Sequence, residues 1–363
     1  MSFTFKDGIS LSIFGSSHGA YVGFTLSGIP SGITLSMDEI DLWMSRRSPG
    51  QSSLTTQRKE SDRVDIISGV REGHTDGGAI TGIIKNSDVV SKTYDELKNR
   101  PRPGHGDISL YYKYGEYRNF EGGGFLSGRM TACLLGAGSI ILQILQKKGI
   151  EILSFIDSMG SISIDNLCNI TEKEIYSMDS RMPDRDADRL ASEYIMKLIK
   201  EGDSTGATIR TVVKDCPPGL GEPFFDSFES IIGHLLFSVP GLKGIEFGSG
   251  FHFSSMRGTE AKDEFFMDGN LIITTANNNG GILGGITNGM PIEFRVVMKP
   301  TSSIREEQQT VNLETMEADR ITVKGRHDPC IAIRAVPVIT CVTAIAVYDL
   351  LARSGNGKLF TET

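Results

Sequence analysis

The stretch that decides the fold runs from Arg129 to Lys148 and reads RMTACLLGAGSIILQILQKK. It has the length of a helix and is apolar on most faces, with small residues between Ala132 and Ser139. A helix that is apolar all round is buried between other layers of a protein. A second nearly all-apolar helix is predicted from Pro337 to Arg353. We therefore expect two buried helices at the centre of the molecule.

Segments with strand-like alternation surround these two helix signals. Strands are predicted at Ile9 to Phe14, Val22 to Leu26, Val64 to Val70, Ala79 to Ile84, Ile152 to Ile164, Ala207 to Val213, Gly244 to Phe253 and Ile292 to Lys299. Further helices are predicted at Met37 to Arg46, Ala187 to Glu201 and Ser227 to Phe237. The first of these follows Ser36 and Glu39, which form a capping-box pattern.

The balance of these elements indicates the fold class. The helices are too few for regular strand–helix–strand alternation, and no linker-like stretch divides the chain. We predict a single domain over residues 1–363 of mixed α/β (α+β) class, built as a layered sandwich rather than a doubly wound sheet. Residues 354–363 are predicted to be a polar C-terminal tail.

Composition and charge argue against some classes of partner. The chain has 363 residues, of which 39% are hydrophobic and 23% charged, as is usual for a soluble globular protein. Its formal net charge of −8 argues against nucleic acid as the main partner, because a phosphate backbone needs a basic face. The arginines nonetheless cluster locally, so we expect a basic pocket for a small anion.

The cysteines and the hydropathy pattern indicate the compartment. The five cysteines are odd in number and form no CxxC pair, which favours a reducing compartment and gives no zinc framework. The N-terminal residues lack a charged-then-apolar signal pattern. No apolar run is expected to reach the roughly 18–20 residues of a membrane span. We predict a cytoplasmic protein, and no metal site.

The segment from Arg100 to Thr131 has the features of an anion site. Its cations are Arg100, Arg102, Lys113, Arg118 and Arg129. They surround His105 and Asp107 in sequence, and the glycine run from Gly122 to Gly124 precedes the long apolar helix. Bare backbone N–H groups, a helix N-terminus and arginine side chains all favour negative charge.

Three histidines lie in glycine- or charge-rich contexts: His18 in SSHG, His105 in PGHGD and His327 in GRHDP. A single histidine of this kind is most often a hydrogen-bonded structural residue. Three together favour proton transfer, because imidazole titrates near neutral pH. Their spacing matches no paired metal-ligand motif.

Two further segments suit an anionic ligand. Lys299 to Ser303 combine a lysine with three hydroxyl groups, which is typical of a phosphate cradle, although a capped turn has the same composition. Arg326 and Asp328 share one face if the backbone is extended, although this segment also fits a surface turn. The glycine-rich loop from Asn277 to Gly289 either is flexible or permits close approach to a flat ligand.

Several familiar sites are excluded by their missing motifs. The sequence contains no GxGxxG in a strand–turn–helix context, no GxxxxGK[ST] and no GxSxG. A dinucleotide-binding Rossmann site, a P-loop and a hydrolase elbow are therefore not predicted. The residues alone indicate an enzyme with a basic, glycine-walled pocket and an anionic ligand.

Taken in order, these motifs resemble the chorismate synthase family. The matching blocks are FGSSHG (14–19), RRSPGQSS (46–53), TTQRKESDRVDIISGV (55–70), RPGHGD (102–107), KYGEYRNFEGGG (113–124), GGILGGITNGMPI (280–292), KPTSSI (299–304) and GRHDPCIAIRAVPV (325–338). The similarity covers nearly the whole chain, and the last two blocks are highly specific.

The resemblance implies a lyase of the shikimate pathway, which leads to the aromatic amino acids. The reaction is a 1,4-anti elimination of phosphate from 5-enolpyruvylshikimate 3-phosphate, which gives chorismate. It requires reduced FMN without net redox change. The implied fold is a β–α–β sandwich with long helices between antiparallel sheets, and the implied assembly is a homotetramer. Some family members reduce the flavin with NADPH; for this chain we expect an external flavin reductant.

The resemblance also implies roles for individual residues. His18 is expected to protonate the departing phosphate, His105 to lie near flavin N1, and Asp328 to lie near flavin N5. The positions that match the family's substrate-binding residues are Arg47, Arg102, Ser127, Arg129 and Arg326. The positions that match its flavin-binding residues are Ser127, Gly241, Gly284, Lys299, Pro300, Thr301, Ser302, Ser303 and Arg326.

The chain departs from the family pattern at three places. Ser16 replaces a usual glutamate, Ser53 stands where arginine is common, and Phe125-Leu126 stands where the triglycine is usually followed by Arg-Ser. The lost arginines remove two expected contacts to an anion. Arg46, Arg58, Arg63 and Lys113 are the candidates to replace them.

The residues are also compatible with two alternatives to the lyase. A flavin-dependent oxidoreductase would use the same pocket with net hydride transfer. A non-catalytic, lyase-like assembly protein would keep the fold without the chemistry, but the presence of His18, His105 and Asp328 argues against it.

Overall fold

The computed structural model describes residues 3–52, 54–55, 62–86, 95–164, 170–323 and 327–354. Its helices are α1 Met37–Arg47, α2 Asp95–Asn99, α3 Asp107–Tyr114, α4 Thr131–Lys147, α5 Glu172–Ser177, α6 Arg185–Glu201, α7 Phe228–Leu236, α8 Gly258–Ala261 and α9 Ala332–Arg353. Its strands are β1 Thr4–Lys6, β2 Ser10–Gly15, β3 Tyr21–Ser27, β4 Val64–Ser68, β5 Val70–Arg71, β6 His74–Thr75, β7 Ile80–Lys85, β8 Glu151–Met159, β9 Ile162–Ser163, β10 Ala207–Lys214, β11 Leu242–Phe247, β12 Phe265–Asp268, β13 Leu271–Thr274, β14 Ile282–Leu283, β15 Ile286–Thr287, β16 Ile292–Met298, β17 Gln308–Asn312 and β18 Glu317–Ile321.

Two five-stranded sheets form the outer layers. The first has the strand order β1-β2-β3-β7-β4 and the second the order β11-β16-β10-β8-β9, with antiparallel neighbours throughout. β10 shows the alternating burial of a strand with one face on a core. The remaining strands pair as two-stranded hairpins.

The long helices α4 and α9 lie between the two sheets. α4 packs on β3 and β7 of the first sheet, α9 packs on β8 and β10 of the second, and the two helices pack on each other. Every residue from Thr131 to Leu145 in α4 is buried, and so is every residue from Ala332 to Leu351 in α9 except Arg334. The predicted layered sandwich with antiparallel sheets around apolar helices is confirmed.

The local predictions hold best where periodicity is strong. The side chain of Ser36 accepts a hydrogen bond from the Glu39 backbone N–H (3.3 Å) at the start of α1, as the capping pattern predicts. Gly202 ends α6 with a left-handed backbone conformation, because glycine carries no Cβ to oppose it.

Local predictions differ from the structure at several places. α9 begins at Ala332 rather than Pro337, so this proline lies inside the helix, where it has no backbone N–H to donate. The strand predicted to reach Phe253 ends at Phe247, because Gly248 and Gly250 adopt positive φ angles and the chain turns into a 3₁₀ helix. α3 was not predicted; its first residue, Asp107, binds Arg102 and His105, which lie just before it in the chain.

The expectation that no apolar run reaches the length of a membrane span is also wrong. The segment Gly128–Lys147 and helix α9, Ala332–Arg353, are long and apolar enough to span a membrane. However, 94% of each apolar window is buried inside the molecule. Both therefore have the character of core helices.

The crossing of α4 and α9 depends on Gly138. A Cβ atom at Gly138 would lie 2.5 Å from both Cβ and the carbonyl oxygen of Cys341. We expect Gly138→Ala to lower the free energy of unfolding by about 1–3 kcal/mol, because overpacking against backbone exceeds the gain in helix propensity. Urea denaturation measures the change.

Gly233 provides the matched control. It lies in α7 with helical geometry, and a Cβ there would meet nothing within 4 Å. Gly233→Ala should therefore stabilise the protein by about 0.5–1 kcal/mol. Equal effects of the two substitutions would show that close approach of the helices does not govern this core.

Candidate active site

The described residues enclose a large cavity at one end of the helical layer. Its volume is about 1270 Å³. The segments that line it are the turn of His18, the end of α1, residues 102–106, the triglycine turn, the start of α4, residues 298–303 and the start of α9. Both central helices thus direct their N-terminal ends toward the cavity, which favours bound negative charge.

The triglycine turn brings two histidines to this cavity. Gly122, Gly123 and Gly124 all have positive φ angles. A Cβ at Gly122 would lie 2.0 Å from His18 Cε1, and a Cβ at Gly123 would lie 3.2 Å from His105 Cε1. Glycine is required here because each imidazole ring packs directly on bare backbone. The Ser17 hydroxyl lies 3.1 Å from His18 Nδ1 and helps to hold that ring.

His105 belongs to a buried group with Arg102 and Asp107. His105 Nδ1 lies 2.7 Å from Asp107 Oδ1, and Arg102 Nε donates to Asp107 Oδ2 at 2.7 Å. Arg102 Nη2 also donates to Oδ1 at 2.9 Å, so the guanidinium binds the carboxylate with two donors. The ionised carboxylate of Asp107 favours the Nδ1–H tautomer of His105, and Arg102 Nη2 lies 3.3 Å from the other ring nitrogen, Nε2.

Asp107 is held ionised by these contacts. Burial opposes its ionisation, but the hydrogen bonds from Arg102 and His105 outweigh burial and hold the pKa of Asp107 well below its ordinary value. Asp107 is also the first residue of α3, where a negative charge is favoured by the helix dipole. The ion pair therefore fixes both His105 and the start of this helix.

A second arginine group lies where α1 ends and α4 begins. Arg47 and Arg129 line the cavity, and both donate to the carboxylate of Asp62, which lies behind them. Burial raises the pKa of Asp62, but the charges of Arg47 and Arg129 outweigh it and lower that pKa. The carboxylate thus stays charged between two guanidinium groups.

Asp328 is oriented by the first turn of α9. Arg334 Nη1 donates to Asp328 Oδ2 at 2.7 Å, and Arg334 Nε donates to the Arg47 backbone carbonyl at 2.9 Å. The hydroxyl of Thr301 donates to the Asp328 carbonyl at 2.8 Å. These contacts connect Asp328 to both the arginine wall and the KPTSS segment.

The KPTSS segment lies across the cavity from α4. Lys299 Nζ lies 3.1 Å from the Ser302 hydroxyl and also donates to the Gly104 carbonyl. Burial, together with the charge of Lys243, lowers the pKa of Lys299. Gly241 accepts a hydrogen bond from the Lys299 backbone N–H (3.0 Å) and lines the same wall.

Aromatic rings surround Phe125, which follows the triglycine turn. The ring of Phe125 lies edge-on to Phe3 (5.4 Å between centroids) and to Tyr114 (5.7 Å). All three rings line the cavity. This part of the wall is therefore apolar, and we call Phe3, Tyr114 and Phe125 the aromatic cluster.

Comparison with known proteins identifies the family. The family model described as chorismate synthase matches residues 9–352. The chain belongs to the chorismate synthase family. Over 347 residues it is 43% identical to chorismate synthase of Methanobrevibacter smithii, with 95% of each chain covered. Over 351 residues it is 41% identical to chorismate synthase of Korarchaeum cryptofilum, with 95% and 96% covered.

A solved structure supports the same assignment. The chain superposes on a crystal structure of chorismate synthase with a TM-score of 0.75 and 27% sequence identity, covering 95% of this chain and 92% of that one. As a member of this family the chain is a lyase of the shikimate pathway, and the family uses reduced flavin.

Most residues that the family resemblance singled out converge on the cavity. The cavity-lining members are His18, Arg47, Arg102, His105, Ser127, Arg129, Gly241, Lys299, Pro300, Thr301, Ser302, Ser303 and Asp328. His327 and Lys113 line it as well. Their individual roles in the family reaction stay predictions.

Other predicted residues lie elsewhere. Gly284 is in the turn between β14 and β15 and does not line the cavity of this chain. Arg326 and Ser53 lie outside the described residues, as do Arg58 and most of the predicted C-terminal tail.

The prediction that Arg100 and Arg118 belong to the anion site is wrong. Arg100 pairs with Asp319 (2.6 Å), and Arg118 donates to the backbone carbonyls of Lys98 and Gly115, and neither lines the cavity. Arg46, a candidate to replace a lost cation, instead stacks on Trp43 and Tyr176 inside the protein. Sequence proximity placed these cations together, whereas tertiary contacts separate them.

Sequence reasoning missed four residues that shape the site. Asp62, Asn86, Arg334 and Phe3 were given no role. Asp62 and Arg334 lie in sequence blocks that match the family, and this match could have pointed to both residues. The composition around Asp62 does not show that its carboxylate is buried behind two arginines. Asn86 and Phe3 reach the site only through the pairing of strands.

The ionisation of Asp107 predicts an acid-sensitive stability. Its pKa is lower in the folded protein than the unfolded value of about 3.9. The stabilisation is therefore complete above about pH 5 and is lost as the pH falls toward the folded pKa. Asp107→Asn should lower the free energy of unfolding by about 1–3 kcal/mol at pH 7.

Urea denaturation between pH 3 and pH 7 measures both quantities, at about six pH values across the range. The slope of stability against pH in the acid range should be smaller for Asp107→Asn than for the wild type. It should not vanish, because Asp62 also has a lowered pKa. Parallel slopes for the two proteins would contradict the proposed ionisation.

Proposed function

We propose that this chain catalyses the reaction of its family, the 1,4-anti elimination of phosphate from 5-enolpyruvylshikimate 3-phosphate to give chorismate. The observation that carries the proposal is the convergence of His18, His105 and Asp328 on one cavity with four arginines in its wall. We place the reaction in the cytoplasm, since the described cysteines Cys133, Cys216, Cys330 and Cys341 are unpaired.

The charge of the cavity suits this substrate. The substrate carries two carboxylates and a phosphate, and forked cations recognise such groups best. Arg47, Arg102 and Arg129 supply three guanidinium groups, and each is braced by a buried carboxylate. We assign them to the substrate, with Ser127 beside Arg129 in the same wall.

His18 is our candidate for the acid. Its ring is held between Ser17 and the bare backbone of Gly122, so its direction is set before a ligand arrives. A phosphate leaves more easily when it is protonated, and imidazolium is the usual donor near neutral pH. Positioned proton transfer of this kind contributes about 10²–10⁴-fold to a rate.

The residues of the opposite wall fit FMN. The cavity volume of about 1270 Å³ exceeds the roughly 300–1000 Å³ of a typical small-molecule pocket, which leaves room for substrate and cofactor together. Lys299 and the hydroxyl-bearing residues Thr301 to Ser303 are suited to a phosphate group. When bound, reduced flavin supplies electron density to the allylic centre, which side chains cannot do.

We assign two proton-handling residues to the flavin side. His105 holds its Nδ1–H on Asp107, and we assign its Nε2 to proton exchange with the ligand. Asp328 is oriented by Arg334 and serves as the carboxylate on this side. Gly241 and Pro300 complete that wall; Arg326 and Gly284 remain candidates by their family positions alone.

We further propose a homotetramer. The hairpin of β12 and β13 exposes Phe265 (64%), Met267 (63%), Leu271 (67%) and Ile272 (63%). Exposed apolar patches of this kind mark interaction surfaces, and a second copy of the chain is the partner that the family implies. Sedimentation equilibrium measures the number of copies directly.

The function is tested with 5-enolpyruvylshikimate 3-phosphate and dithionite-reduced FMN under anaerobic conditions, read as chorismate formation. We expect turnover by the wild type and a fall in kcat of about 10²–10⁴-fold for His18→Ala. His252→Ala is the control: His252 is exposed outside the cavity, and its loss should leave kcat unchanged.

Two outcomes of this assay would contradict the proposal. Absence of chorismate from the wild type would favour the non-catalytic alternative. Stoichiometric consumption of NADPH with product would favour a flavin oxidoreductase. NADPH alone in place of dithionite should give no turnover, because we expect the flavin to be reduced by a separate protein.

The aromatic cluster predicts the effect of restoring the family arginine. Phe125→Arg removes two edge-on ring contacts, each worth about 0.5–1.5 kcal/mol, and brings a charge among Phe3 and Tyr114. We therefore expect a raised KM for the substrate and a lower free energy of unfolding. Phe125→Leu is the control, since it loses the ring contacts without adding charge.

A lower KM for Phe125→Arg would overturn this interpretation. It would show that an arginine at position 125 adds a favourable contact to the anionic substrate, and that the wild-type site binds the substrate without that contact. Steady-state kinetics with saturating reduced FMN provides the comparison for both variants.

A further inference from the structure

The buried carboxylate of Asp62 lies behind the arginine wall rather than in it. Its side chain is 0% exposed, while Arg47 and Arg129 are 3% and 8% exposed and line the cavity. Arg47 Nη1 donates to one carboxylate oxygen, and Arg129 Nη1 donates to the other. Without this carboxylate the two guanidinium groups would repel each other in a buried setting.

Further contacts fix the two arginines in one orientation each. Arg47 Nε donates to the Thr131 hydroxyl at 2.9 Å, and its Nη2 donates to the Gly128 carbonyl at 3.0 Å. Arg129 Nη2 donates to the Lys85 carbonyl at 3.1 Å. Both side chains are therefore held in place before any ligand binds, which lowers the entropy lost on binding.

Asn86 connects this wall to the turn of His18. Its side-chain carbonyl accepts a hydrogen bond from Arg129 Nε at 2.9 Å. Its amide nitrogen donates to the Ser16 carbonyl at 3.0 Å and to the Gly19 carbonyl at 2.7 Å, so it spans the turn on both sides of His18. The Asn86 backbone N–H also donates to the Ala20 carbonyl at 3.1 Å.

We propose that Asp62 and Asn86 are positioning residues for the elimination. Asp62 aligns Arg47 and Arg129 for the anionic substrate, and Asn86 holds the turn of His18 at a fixed place relative to Arg129. We call Asp62, Arg129 and Asn86 the positioning chain. This inference rests on the proposed function, because it concerns the distance between the anion-binding wall and the proton donor.

The two residues should affect different kinetic constants. Asp62→Asn keeps the shape but removes the charge that both arginines share, so substrate binding should weaken and KM should rise by about ten- to hundredfold. Asn86→Ala leaves Arg129 bound to Asp62 and Lys85 but releases the turn of His18. Its kcat should fall by about ten- to hundredfold, with a smaller change in KM.

Binding without turnover provides a readout separate from activity. Isothermal titration with the substrate and oxidised FMN, in the absence of a reductant, measures the dissociation constant directly. It should rise for Asp62→Asn in parallel with KM and change less for Asn86→Ala.

Asp349 supplies the matched control. Its side chain is also 0% exposed, pairs with Arg353 (2.6 Å) and accepts a hydrogen bond from the Ile9 backbone N–H (2.9 Å), but it does not line or adjoin the cavity wall described above. Asp349→Asn should lower the free energy of unfolding and leave KM, kcat and the dissociation constant of the folded protein unchanged.

The outcomes separate this inference from the proposed function. An inactive wild type would contradict the function, and the titration would still test Asp62. If Asp62→Asn folds and binds the substrate as tightly as the wild type or more tightly, the carboxylate only offsets charge and the proposal fails. If Asp62→Asn does not fold, Asn86→Ala decides: unchanged kcat in that variant overturns the positioning chain.

Discussion

The close packing of α4 on α9 is the constraint on which the rest of the structure depends. Each helix covers one sheet, and the two meet where Gly138 faces the backbone of Cys341. Because both helices begin at the cavity, their separation sets the distance between the two walls of the site. Arg129 precedes the first helix, and Asp328 and Arg334 lie at the start of the second. A core contact between small residues thus has a direct consequence for the chemistry.

The site places a cationic cavity in an acidic protein by pairing its arginines with carboxylates. Asp62 serves Arg47 and Arg129, Asp107 serves Arg102, and Asp328 is bound by Arg334. A buried charge without a partner is costly, so these pairs allow guanidinium groups to face a ligand from a desolvated wall. The pairs also fix direction, because a carboxylate accepts the forked donors of arginine in few geometries. The carboxylates therefore have two effects: they offset the charge of the buried arginines, and they fix the direction in which each guanidinium group faces the cavity.

The backbone of the triglycine turn also positions side chains of the site. Gly122 and Gly123 receive the rings of His18 and His105, which come from distant parts of the chain. Phe125, which follows Gly124, packs with Phe3 and Tyr114 in an apolar corner of the wall. One short segment therefore seats both candidate proton carriers and changes the character of the wall beside them.

The sequence by itself determined the layers, the family and most members of the site. Strong periodicity identifies α4, α6 and β16, because burial of one face or of all faces leaves a local pattern. Specific motifs identify His18, His105 and Asp328. Only the tertiary structure decided that Arg100 and Arg118 lie outside the cavity and that Asp62 and Asn86 support the wall. Those facts depend on hydrogen bonds and ion pairs between residues far apart in the chain, for which spacing and composition carry no signal.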